Sequence, residues 1–387
     1  MKVLTLIFWD IFYGIMIFLV SLMPSLDLVY RKRLVILLVW GTIIVSGFRY
    51  NIGTDFQTYQ LLYEIFADGD MGIGMIIEPS FVWLSYILGY LGLKVQVIFL
   101  FYAIVSIYGM YYGFKKYFVD LWLGTGIAFL LFLSYNSNGG FWWSMNCIRQ
   151  AAALGIVFAG SSFLYSNRIK YFLLLIAVAC FFHYSAVIAV FMVVLARCNF
   201  KRKNVLVVVF LSFFVSYIGL SQGIVISVME TIAGWAGKYE AAFEMLDSES
   251  GTFATASYLY VFMYLLAFFV CNRCSEKFQV VFNLSTVYIV IRILTSFSLE
   301  GSVIHHLLHR FEVYYLPFFL IYVSEGILCF VRRCRPVRAG WLVMIFAISL
   351  FTLLSLENIA ATGGEDTFLI KGKGTENVIY DYNLDLF

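Results

Sequence analysis

The chain has 387 residues, 62% of them hydrophobic, 19% aromatic and only 13% charged, with a formal net charge of +3. Soluble domains carry about 25% charged residues. With a mean hydropathy of +0.90, the composition excludes a soluble enzyme and predicts an all-α polytopic membrane protein, organised as one integral membrane domain over 1–387.

The first apolar run, LTLIFWDIFYGIMIFLVSLM, has one leading Lys, carries Asp10 and lacks a small-residue cleavage site. It reads as a first span rather than a signal peptide. Basic clusters follow at Arg31-Lys32-Arg33, Lys115-Lys116, Arg168/Lys170, Arg197 with Lys201-Arg202-Lys203, Arg273/Lys277 and Arg332-Arg333-Arg335-Arg338. Lys and Arg concentrate in cytoplasmic loops. Threading the apolar runs between these clusters predicts about twelve transmembrane helices. They fall near 4–23, 33–48, 95–113, 118–135, 146–165, 169–182, 184–197, 203–221, 256–271, 278–297, 310–330 and 339–356. Both termini then lie outside the cytoplasm.

Residues 79–93, PSFVWLSYILGYLGL, break the alternation, because a span there would place Lys115-Lys116 outside. They read as a re-entrant or surface-lying segment. Cys198, Cys271, Cys274, Cys329 and Cys334 fall at cytoplasmic ends, where thiols stay reduced. The Cys271…Cys274 pair, with no second pair and no His nearby, reads as two unrelated thiols.

The polar stretches lie on the outer side: a loop over 49–94 with an interfacial helix and the re-entrant segment, a loop over 222–255, and a tail over 357–387. The cytoplasmic loops are short and basic, so the function belongs to the outer face. Pro317 is expected to kink its helix. No internal repeat is evident, which weighs against transporters built from paired repeats.

Ionisable groups at membrane depth are costly and usually functional. Arg49 leaves the second apolar run and meets Gly53-Thr54-Asp55, a turn in which Thr54 or Asp55 caps a helix over 56–67. Phe56, Tyr59, Leu62 or Tyr63, and Phe66 share one side of it, as in a helix lying at the membrane interface. The plainer reading of Arg49 is a snorkelling side chain. Arg149-Gln150 opens a helix among small residues; the plainer reading is an Arg paired with a carboxylate for packing. His183 falls at an outer turn, catalytic or merely a satisfied polar group. His305, His306 and His309 open the eleventh span. His305 and His309 share a face, but no third ligand at a fitting spacing supports a metal. Arg310 and Tyr314 also share a face. Glu300 is a solvated loop acid or a partner for Arg310 or a His. Arg292 sits deeper in its span and keeps a transporter in play.

Arg49, Arg149 and Arg310 are three planar forks at outer helix ends, which suits phosphate oxygens. A phosphate-bearing ligand with its lipid tail between helices needs this arrangement. Asp55 and His183, or a later histidine, would deprotonate a hydroxyl. Trp142-Trp143 read first as interface belt and second as a sugar platform.

GTDFQTY after Arg49, the stretch from CIRQAAALG to FFHYSAVIAV, and HRFEVYY together resemble the EpsG-like, Wzy-type polysaccharide (O-antigen) polymerases. The matching positions are Arg49, Gly53, Thr54, Asp55, Tyr59, Arg149, Gln150, His183, Ser185, Arg310 and Tyr314, with Phe56 replacing the common Tyr. The resemblance implies a GT-C-like architecture and a glycosyltransferase that joins undecaprenyl-pyrophosphate-linked repeat units at the outer face of the bacterial cytoplasmic membrane. It implies no cofactor, metal or nucleotide sugar. Asp55, His183, Arg149 and Arg310 would then be catalytic. Arg49, Tyr59, Gln150, His309 and Tyr314 would bind substrate. The expected partners are undecaprenyl-pyrophosphate-linked glycans, membrane lipids and a chain-length regulator protein, and no nucleic acid. The competing readings are a flippase or transporter of lipid-linked sugars, an O-antigen ligase, or another polyprenyl-linked glycosyltransferase.

Overall fold

The computed structural model describes residues 2–50, 52–53, 55–72, 74, 77–134, 140–217, 255–271, 275–296 and 303–361. Thr54, Cys274, Glu300, nearly all of the 222–255 loop and the tail beyond 361 lie outside them, as do the side chains of His305, His306 and His309.

All regular structure among the described residues is helical. The first part of the chain forms α1 (Lys2–Leu22), α2 (Leu28–Gly47), α3 (Phe56–Ala67), α4 (Pro79–Tyr90), α5 (Gln96–Phe114, with a π-turn at Ile104–Tyr108) and α6 (Leu121–Ser134). It continues through α7 (Ile148–Tyr165), α8 (Ile169–Phe182), α9 (Tyr184–Leu195, opening as a 3-10 helix) and α10 (Arg202–Tyr217). The last four are α11 (Thr255–Val270), α12 (Glu276–Thr295), α13 (Val303–Val331) and α14 (Pro336–Ala361). Each of the twelve apolar runs read from the sequence holds a helix. Among the described residues four helices, α5, α7, α12 and Arg310–Val331 of α13, are long and apolar enough to cross a bilayer, and the chain is a membrane protein.

α13 is the central pillar. Every residue from 312 to 326 is buried, and α6, α7, α9, α11, α12 and α14 all pack on it. A helix apolar on all sides can satisfy that surface only inside a bundle. The helix continues through Pro317.

The segment at 79–93 becomes α4, which has 12 residues. At 1.5 Å per residue it rises about 18 Å. It packs against α3 so closely that a Cβ on Gly89 would stand 2.4 Å from Ala67 Cβ. The pair has its own core of Phe56, Tyr59, Tyr63, Phe66, Phe81 and Leu88, seated on Phe99 and Tyr102 of α5 and on Ile148 and Ala152 of α7. The apolar face of α3 expected at a membrane interface is therefore covered by protein.

The basic connections are stitched to the end of the bundle away from this pair. Arg31 bonds to Asp120 at 3.2 Å and to the carbonyls of Leu26 and Pro24, closing the α1–α2 turn onto α6. Asn283 of α12 donates to Leu195 O at 2.9 Å and Cys198 O at 2.6 Å, pinning the α9–α10 turn, while Arg202 donates to Phe268 O and Cys271 O. These side chains satisfy helix-end carbonyls that would otherwise lack partners.

Charged side chains also lie within the bundle. Arg292 of α12 pairs with Glu312 of α13 at 3.1 Å, both side chains almost fully buried. Arg292, which the sequence left open as a transport residue, is thus an interhelical ion pair between two tightly packed helices.

Candidate functional site

The opposite end of the bundle gathers the remaining polar groups around five consecutive residues, Asn146 to Gln150. A single helical turn, Trp143–Asn146, leads into them, and α7 begins at Ile148. These residues touch four separate parts of the chain.

Asn146 Oδ1 accepts the backbone N–H of Asp55 at 3.1 Å, and Cys147 Sγ faces Asp55 Oδ2 at 3.9 Å. This contact depends on the turn before α3. Gly53 sits at φ +100°, and a Cβ there would lie 3.1 Å from Met145 O. Only glycine suits a left-handed conformation this close to a neighbouring backbone. Burial first, and then the Asp55 charge, push the Cys147 thiol up.

Arg149 pairs with Glu78, and His183 Nδ1 takes the other oxygen of the same carboxylate. Glu78 stands immediately before α4 and is 4% exposed. Burial alone would raise its carboxyl, but the His183 hydrogen bond and the Arg149 charge outweigh burial and hold it below the ordinary carboxylate range. The Arg149 guanidinium also lies 5.6 Å from the ring centre of Tyr59. Beside Glu78, Ser80 Oγ bonds Tyr102 OH at 2.8 Å.

Gln150 Nε2 donates to Ser185 Oγ at 3.3 Å and to Arg310 O at 3.4 Å. Ser185 Oγ meets Tyr314 OH at 2.9 Å. The Arg310 side chain is exposed, and its charge acts on Cys147 and Tyr314. The start of α7, the α8–α9 turn and residues 310–314 of α13 thus meet in one cluster.

Arg49 stands slightly apart. It is 3% exposed, donates from Nη1 to Ser46 O at 2.6 Å, and stacks 4.3 Å from the Phe99 ring centre. Its Nε and Nη2 have no hydrogen-bond partner among the described residues. Burial pulls its guanidinium down to about 9, which leaves it charged at neutral pH. It is not a snorkelling side chain.

The structure therefore brings together Asp55, Tyr59, Arg149, Gln150, His183, Arg310 and Tyr314 of the residues expected from sequence, with Arg49 behind Tyr59's neighbour Phe99. The His309 side chain is outside the described residues. Trp142 and Trp143 pack against the main core. Sequence reasoning missed Glu78, which lies in the polar loop over 49–94. Two signals pointed to it: an Arg at the mouth of an apolar helix needs a carboxylate, and Glu78-Pro79 opens a helix at a fixed N1 proline. Glu300, read as a solvated loop acid or a partner for Arg310 or a His, lies outside the described residues, and His183 uses Glu78.

An imidazole held by a buried carboxylate can accept a proton from a hydroxyl, and an exposed arginine beside it can steady an anionic leaving group. No curated protein and no solved structure matches the chain. Residues 32–368 match the EpsG family, spanning the cluster and most of the bundle, and the chain belongs to that family.

Proposed function

We propose that this protein polymerises a bacterial surface polysaccharide, joining oligosaccharide repeat units carried on undecaprenyl pyrophosphate at the outer face of the cytoplasmic membrane. In this reading twelve helices cross the bilayer in a GT-C-like arrangement, both termini lie outside, and the basic end of the bundle faces the cytoplasm. One observation carries the reading beyond family membership. Asp55, Glu78, His183, Ser185 and Arg310 converge on Asn146–Gln150 at the end of the bundle away from the basic connections.

The chemistry follows from these groups. The acceptor sugar hydroxyl gives its proton to His183 while its oxygen bonds to the anomeric carbon of the donor. The anomeric C–O bond to pyrophosphate breaks, and lipid pyrophosphate leaves with the electron pair. Arg310, exposed beside the cluster, meets the departing charge, with Arg149 and Arg49 adding positive potential. His183 is preferred to Asp55 as the base, because the Asp55 carboxylate faces Cys147 at the start of α3. Gln150, Ser185 and Tyr314 offer hydroxyl and amide groups to a sugar.

The test is the gel profile of surface polysaccharide in a deletion strain. Loss of a polymerase leaves single repeat units on the acceptor. Loss of a flippase leaves none, and loss of a ligase leaves polymer on the lipid carrier. Either of the last two outcomes refutes the reading.

A further inference from the structure

Glu78 lies outside every sequence motif that suggested the function, yet it makes the two most consequential contacts at the site. Its Oε2 takes Arg149 and its Oε1 takes His183 Nδ1. The carboxylate is almost fully buried. It stands on a helix start that Pro79 fixes at N1, next to the Ser80–Tyr102 bond. Arg149 from α7 pairs with it, Tyr102 from α5 and Tyr314 from α13 lie within reach of its charge, and Tyr59 from α3 lies against Arg149. A carboxylate fixed at both oxygens by two different elements cannot rotate away from either partner.

We propose that Glu78 is the positioning residue that makes His183 a base. A carboxylate at Nδ1 accepts the N–H there, so the neutral ring carries its lone pair on Nε2. Nε2 has no protein partner among the described residues, and it is the nitrogen left to take the proton of an acceptor hydroxyl. The proton moves from the sugar oxygen to Nε2, the ring becomes an imidazolium, and Glu78 stays ionised and balances that charge. The proton then passes to water and the ring returns to the same tautomer. Arg149 serves as the anchor that keeps Glu78 in place, so the charge left to meet the leaving pyrophosphate belongs chiefly to Arg310. The sequence set Arg49, Arg149 and Arg310 alike against phosphate oxygens; the shared carboxylate sets Arg149 apart.

This inference rests on the polymerase reading, and the experiment separates the two. The wild-type protein and its variants are reconstituted in phospholipid vesicles with the lipid-linked repeat unit extracted from the deletion strain, and chain lengthening is followed. Glu78→Gln is expected to lower kcat by about 10²- to 10⁴-fold, the upper figure being the loss when a carboxylate that orients a catalytic imidazole becomes an amide, with KM for the lipid-linked unit nearly unchanged. In a His183→Ala background the same change is expected to lower kcat no further. Glu78→Asp, which keeps the charge on a shorter arm, is expected to fall between wild type and Glu78→Gln and serves if the glutamine variant does not accumulate. Losses from Glu78→Gln and His183→Ala that multiply, a loss falling on KM, or a wild-type kcat for Glu78→Asp would overturn the role given to Glu78. Wild-type vesicles that leave the repeat unit unlengthened would overturn the polymerase reading itself.

Discussion

Replacing Glu312 by Gln is expected to destabilise the protein by about 3–5 kcal/mol, the usual penalty for breaking a buried ion pair on one side. The Arg292 and Glu312 side chains are 6% and 0% exposed and 3.1 Å apart. At an effective dielectric of about 20, unit charges at that distance attract by roughly 5 kcal/mol. Desolvation offsets most of that gain, several kcal/mol for each ion. The single variant loses the attraction and keeps the desolvation of Arg292. The double variant Arg292→Met/Glu312→Leu removes both charges and is expected to unfold near the wild-type temperature or above it. The assay is thermal unfolding of the detergent-purified protein, followed by intrinsic fluorescence, with the polysaccharide profile of complemented cells alongside. A single variant as stable as wild type, or a double variant as unstable as the single, would refute the argument. The double variant is also expected to support polymer formation. A well-folded double variant without polymer would return Arg292 to function and revive the transport reading.

Gly53→Ala is expected to cost about 1–2 kcal/mol for a left-handed alanine. It should also loosen the Asp55–Asn146 contact, so polymer yield should fall more than stability does. Arg310→Ala is expected to abolish polymer while the protein still accumulates, with Arg310→Lys restoring part of the length; unchanged chain length in the alanine variant would remove Arg310 from the site. The Glu78 clasp has a pH signature. Its folded-state pKa lies below the reference value of 4.5, so its contribution is fully present above that pH and is lost as pH falls through the depressed value. Amide hydrogen exchange across residues 56–90 should therefore accelerate ahead of α12 and α13 only in strong acid, whereas acceleration already at pH 6 would contradict the clasp.

Much of the fold was legible in the sequence because the bilayer imposes a coarse rule. Apolar runs must become helices, and the basic clusters mark where they turn. That rule located twelve helical segments and separated a basic end from a polar one. It also singled out Arg149, His183 and Arg310, since each ionisable residue in so apolar a chain stands out against its neighbours. Residues 79–93 show the limit. Their composition suits a span, and their exclusion rested on charge alternation alone. Their fate as a short helix on α3 depends on how closely Gly89 accepts Ala67, a fit between elements that no one-dimensional pattern records.

By itself the sequence determined the class of protein and the positions of most of its helices. Hydropathy and charge act locally, so they can be read one residue after another. Only the tertiary structure decided partners. It gave Arg292 to Glu312, turned Arg49 onto Phe99, and placed one carboxylate, Glu78, between Arg149 and His183, which lie 71 and 105 residues away along the chain. A charge in a low-dielectric interior has to find an opposite charge or a polar partner. Which one it finds depends on where folding brings α4, α7 and α8 together.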